Sequence, residues 1–125
     1  ALLIGDDGSV RSVGEPGPLL GAFDDSTWSE ATFELGDDEA LLLYTDGVTD
    51  TVGEHGRFGE DGLLRVASEA AGRPAEEILA RLEDRLAGFQ VGAQADDTAA
   101  LALRRSRSPL RGLDGIPAVT ASASR

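Results

Sequence analysis

The sequence predicts an α+β domain in which antiparallel strands are covered by a helical pair on one face. Three observations predict it. Leu41-Leu42-Leu43-Tyr44 is an apolar run that ends in the acidic turn Thr45-Asp46-Gly47. A second strand-like run, Ala99-Ala100-Leu101-Ala102-Leu103, is preceded by Asp96-Asp97. Between them, Ile78, Leu79, Leu82 and Leu86 recur three, four and seven positions apart, the stripe of a helix that buries one side.

The elements follow in chain order. Ala1 to Ile4, the turn Gly5-Asp6-Asp7-Gly8 and the run Ser9 to Val13 read as a β-hairpin. Pro16, Gly17, Pro18 and Gly21 forbid a helix and mark a crossing loop, with Leu19-Leu20 expected to tuck against the sheet. From Trp28 to Leu35 the residues Ala31, Phe33 and Leu35 alternate with Glu30, Thr32 and Glu34, as in a strand with one wet side. Gly36-Asp37-Asp38-Glu39 then turns the chain into the strand Ala40 to Thr45, expected to be antiparallel to 28–35 and buried on both faces. A Gly-punctuated polar stretch, Thr49 to Gly59, leads to a helix over Glu60 to Ala71. A second helix runs from Pro74 to Ala87, its proline suited to the first turn and Glu76 and Glu77 placed to complement the positive helix end. Thr98 to Arg104 is the last predicted strand, and 105–125, rich in Arg, Ser and small residues, reads as a disordered tail behind a domain of residues 1–104.

Composition bounds the function. The 125 residues carry a net charge of −12, and residues 1–104 alone hold 7 basic and 22 acidic side chains. So acidic a surface repels nucleic-acid phosphates and suits cations or basic protein segments. With no cysteine there is no disulfide framework, thiolate zinc site or thiol nucleophile, and a cytoplasmic setting is expected. No apolar run reaches membrane-spanning length. Methionine is absent, position 1 included, and the chain opens in mid-strand, so missing upstream sequence is expected.

The chemistry lies at the strand ends. A carboxylate on the tip of a rigid strand is held in place, as a hard divalent cation requires of its ligands. Asp46 and Asp96 are therefore the leading metal ligands and candidate catalytic residues, with Gly47 freeing the backbone to turn. If the strands that carry them are neighbours, two close carboxylates repel, and a cation resolves the conflict. Oxygen donors with one histidine and no cysteine favour magnesium, manganese or calcium over zinc. Asp6-Asp7 and Asp37-Asp38 read as ordinary turns. His55 reads as solvated, and Arg57 is a weak candidate for an anionic substrate.

Taken together, Leu-Leu-Leu-Tyr-Thr-Asp-Gly-Val-Thr-Asp (41–50), Gly-Arg-Phe-Gly-Glu-Asp-Gly-Leu-Leu (56–64), the helix 75–86 and Ala-Asp-Asp-Thr-Ala-Ala-Leu-Ala-Leu (95–103) resemble the C-terminal half of a PPM, or type 2C, metal-dependent protein serine/threonine phosphatase, of the bacterial branch similar to stage II sporulation protein E. Asp-Gly-Ser-Val-Arg and Pro-Leu-Leu-Gly-Ala-Phe fit the hairpin and loop ahead of them. The resemblance implies part of an α/β/β/α sandwich with its N-terminal half missing. It implies two manganese or magnesium ions that activate water for in-line attack on a phosphoserine or phosphothreonine. Asp46 and Asp96 match metal ligands of the family, with Gly47 and Asp97 as supporting neighbours, and Thr49 and Asp50 open a switch element reaching to about Ala71. The implied partner is a phosphoprotein, such as the anti-sigma-factor antagonist that related phosphatases act on. Further ligands of the family lie upstream, so this polypeptide is expected to expose apolar sheet surface and to be inactive or nearly so alone. The alternatives are a non-catalytic partner-binding module built on the phosphatase fold and a calcium-binding protein. The second fits poorly, because the chain has no loop of about 12 residues with alternating ligands and a closing Glu.

Overall fold

The computed structural model describes residues 1–93, 97–107 and 119–124, the last group by its backbone alone. Its centre is an antiparallel sheet of five strands in the order β2-β1-β3-β6-β7, comprising β1 (Leu2–Ile4), β2 (Val10–Ser12), β3 (Ala40–Tyr44), β6 (Ala100–Arg105) and β7 (Val119–Ser124). Between β3 and β6 run a helical turn α1 (Asp46–Thr49), a short hairpin of β4 (Val52–Gly53) and β5 (Gly56–Arg57), and the helices α2 (Gly59–Glu69) and α3 (Ala75–Phe89).

The amphipathic stripes place α2 and α3 together on one face of the sheet. Leu63, Val66 and Ala67 of α2 and Ala75, Ile78, Leu79, Leu82 and Leu86 of α3 are buried with Leu2, Ile4, Ala40, Leu42 and Ala102 in one core. Strand register puts those five sheet residues on a common side: Leu2 pairs with Leu42 and Leu42 with Ala102, while Ile4 pairs with Ala40. Pro74 is the N-cap of α3, one position before the helix proper, with Glu76 and Glu77 in the first turn. The fold class is the expected one, antiparallel strands under a helical pair.

Several local expectations are corrected. Residues 28–35 form no strand. Their alternation is real, but a strand needs a partner, and both edges of β3 are occupied, one by β1 and the other by β6. Nor do Leu19 and Leu20 pack on the sheet; they are 77% and 79% exposed. Their loop is closed on itself, as Trp28 donates from Nε1 to Pro18 O at 2.8 Å. β3 is not buried on both faces either. Leu42 is 1% exposed and Leu43 41%, because the side bearing Leu41, Leu43, Leu101 and Leu103 faces away from the helices.

Within the stretch read as a tail, Arg105 ends β6 and Val119–Ser124 adds β7 along its free edge, from Arg105↔Val119 to Ala100↔Ser124. Val-Thr-Ala-Ser-Ala-Ser does alternate small apolar and hydroxyl residues, a period-two signal obscured by its low hydrophobicity. The turn at Asp37-Asp38 is more than a turn. Asp38 has φ +66°; it accepts from Arg104 at 3.1 Å and meets Arg107 at 3.4 Å, while Asp37 meets Arg105 at 3.2 Å.

A candidate metal centre at the sheet edge

Strand direction decides whether the two acidic strand ends can meet. β3 and β6 are antiparallel neighbours, with Tyr44 opposite Ala100, so the C-terminal end of β3 lies beside the start of β6. Beyond that last pair the ladder continues, Thr45 N donating to Ala99 O at 3.0 Å. The Thr45 hydroxyl adds a further bridge, donating to Asp97 O at 3.1 Å and accepting from Ala99 N at 3.0 Å. Thr45, Asp46 and Asp97 are all exposed, so this is a solvent-facing rim.

Asp46 opens α1 and does not sit in an open turn as the sequence suggested. Its carbonyl accepts from Asp50 N at 2.8 Å and from Thr49 Oγ1 at 3.0 Å. Thr51, buried, donates its hydroxyl to Gly47 O at 2.9 Å, which fastens the other side of the same turn. Gly47 earns its place by close approach and not by a left-handed φ. A β-carbon there would lie 2.9 Å from the Asp97 carbonyl carbon, closer still to its oxygen, and 3.2 Å from Thr98 Oγ1. The Asp46-Gly47 turn and the Asp97 backbone are therefore in contact.

The remaining expected residues fall as follows. Asp96 lies outside the described residues. Asp97, its neighbour, lies against Gly47, which brings the predicted ligand Asp46 to the segment that leads into β6. Thr49 and Asp50, the start of the predicted switch element, close α1, and Asp50 is paired with Arg57 at 2.6 Å. Arg57 is thus committed to a carboxylate on the neighbouring turn. His55, 95% exposed at its side chain on the β4–β5 connection, is solvated. The residue that sequence reasoning missed is Thr45; its strand-end position next to Asp46 was visible, but its partners lie more than fifty positions away.

The donors on this rim are carboxylate and backbone oxygens, chemistry that fits a hard divalent cation. Among the described residues no three Asp, Glu or His side chains converge, so the described part of the rim offers fewer ligands than a cation site needs.

This arrangement belongs to a class related to the PPM-type phosphatases. The family model described as Stage II sporulation protein E (SpoIIE) matches residues 1–106, and the chain belongs to that family. Comparisons with curated proteins and with solved structures gave no match. Among the described residues no helix is long and apolar enough to cross a membrane.

Proposed function

We propose that the chain supplies one side of a metal-dependent protein phosphatase site acting on phosphoserine or phosphothreonine, in signalling that controls a sigma factor through a phosphorylated antagonist. Family membership supports the phosphatase relationship. The observation that carries the site is the contact of Gly47 with the Asp97 backbone, which sets the Asp46 turn against the lead-in to β6.

In this reading Asp46 and Asp96 would hold magnesium or manganese, and Asp97 would support them from the neighbouring position. When bound, such ions lower the pKa of water and draw charge from phosphoryl oxygens. The chain's own part is to hold the backbone of Asp46 at the end of a paired strand with its side chain exposed, so that little backbone reorganisation accompanies binding. The acidic surface favours arrival of the cations and of basic segments near the phosphorylated residue. The remaining oxygen ligands come from outside the described residues, and the 125-residue polypeptide by itself turns over phosphate esters poorly.

The test is hydrolysis of an aryl phosphate and of a phosphoserine peptide in manganese, alongside manganese binding. Weak turnover with measurable binding that Asp46→Ala removes is expected. A rate typical of a complete phosphatase, abolished by Asp46→Ala, would show that no further ligands are needed. Absence of any manganese site, unaffected by Asp46→Ala or Asp96→Asn, would favour the non-catalytic module.

A further inference from the structure

We infer that the groove between α2 and α3 is a binding site for a small free amino acid with an apolar side chain. The cavity there holds about 440 Å³, a size that suits a small-molecule ligand. None of its lining residues belongs to the strand-end rim, so the inference does not depend on the metal-dependent reading.

The lining divides into an apolar wall and a balanced set of charges. Val66, buried, and Phe89, half-buried, form the wall. Phe89 is fixed by its own neighbours: its ring meets Phe58 edge-on at 5.4 Å between centroids, and a β-carbon at Gly53 would lie 2.7 Å from it. A wall held in this way is formed before any ligand arrives, which spares part of the ordering cost of binding. Gly88 adds no side chain, and a β-carbon there would meet nothing within 4 Å, so space remains beside the wall.

The charges say which ligand fits. In a chain of net charge −12, two cations and two anions line this cavity. Arg85 and Glu69 neutralise each other at 2.6 Å, a pair that joins α3 to α2. Arg81 and Asp84 make no ion pair or side-chain hydrogen bond among the described residues. They stand three positions apart on one helix face, so their β-carbons are about 5–6 Å apart. A ligand with a carboxylate and an ammonium on the same carbon answers both, its carboxylate accepting from Arg81 and its ammonium donating to Asp84. A lone anion leaves Asp84 unanswered, a lone cation leaves Arg81 unanswered, and a peptide carries its two terminal charges on different residues. The ligand's side chain then covers Val66 and Phe89, which calls for an aliphatic or aromatic group.

The test is titration of the whole 125-residue chain with L-leucine, followed by amide NMR shifts at Gly88 and Phe89. Saturation with a dissociation constant of about 1 mM is expected, since both charges stand in water. N-acetyl-leucine lacks the ammonium, leucinamide the carboxylate and glycine the apolar side chain; each should bind at least about threefold more weakly. Arg81→Gln and Asp84→Asn should each raise the midpoint for leucine about three- to tenfold, and Gly88→Leu should abolish binding by filling the cavity. All three positions are exposed, and unchanged amide shifts at Leu42 and Ala102 show that each variant keeps its fold. A wild type that shows no saturation by about 30 mM overturns the site. Leucine binding that Gly88→Leu leaves unaltered lies elsewhere and overturns it as well. N-acetyl-leucine or leucinamide binding as tightly as leucine, or wild-type affinity in Arg81→Gln or Asp84→Asn, overturns recognition of the paired charges.

Discussion

Gly47 shows how a local pattern and a tertiary requirement can fall on the same residue. The sequence presents Asp-Gly as a turn dipeptide, yet the structural need is room for the Asp97 backbone, a tertiary contact that no local pattern announces. Gly47→Ala should cost about 1–3 kcal/mol from overpacking, measured by urea unfolding. Tyr44, the single tyrosine, offers a second test. Burial, and secondarily the charge of Glu60, push its phenol above the ordinary 10.0. Because the folded-state value is raised, its contribution to stability is complete below about pH 10 and is lost as pH rises through the folded value. Absorbance titration of the phenolate should give a midpoint above that of free tyrosine, and Glu60→Gln should bring it partway back. Asp7 behaves oppositely. Hydrogen bonds from Ser9, side chain first and then backbone, hold its carboxyl below the usual value, so its contribution is present above about pH 4 and fades as pH falls through the folded value. Asp7→Asn should flatten the acid limb of a stability profile.

At the scale of elements, the helices were the most legible part, because a stripe such as Ile78, Leu82 and Leu86 has one physical meaning in a soluble chain. Leu82, 2% exposed, should cost about 2–5 kcal/mol on truncation to alanine in chemical denaturation. Strands were legible only where pairing partners exist. Alternation over 28–35 states which side would be apolar, but not whether an edge is free to receive it. β3 illustrates a related limit: its apolar run has no period to separate Leu42 from Leu43, which differ in exposure from 1% to 41%. Leu42→Ala should cost about 2–5 kcal/mol and Leu43→Ala about 1 kcal/mol, compared in the same unfolding series. For the candidate site, the acidic runs at the strand ends were readable, while the contact of Gly47 with the Asp97 backbone needed the antiparallel β3–β6 pairing that only the fold reveals.

For the molecule as a whole, charge is distributed with more order than its acidic total implies. Arg104, read as the end of the last strand, and Arg105 and Arg107, read as the start of a tail, meet the Asp37-Asp38 turn at the end of the β3–β6 pair opposite the candidate centre. Arg104 and Asp38 are 17% and 22% exposed at their side chains, so their pair is shielded more than a surface pair but not dry. Asp38→Asn should lower stability by about 1 kcal/mol at low ionic strength, and the difference should shrink in 1 M salt.

The chain has one tryptophan, and Trp28 sits outside the core, clipped to Pro18 in an irregular loop. Its emission therefore reports opening of that loop, whereas far-ultraviolet ellipticity reports melting of α2 and α3. Transitions followed by the two signals need not coincide, and a lag between them would be a peripheral clasp letting go ahead of the body it fastens to.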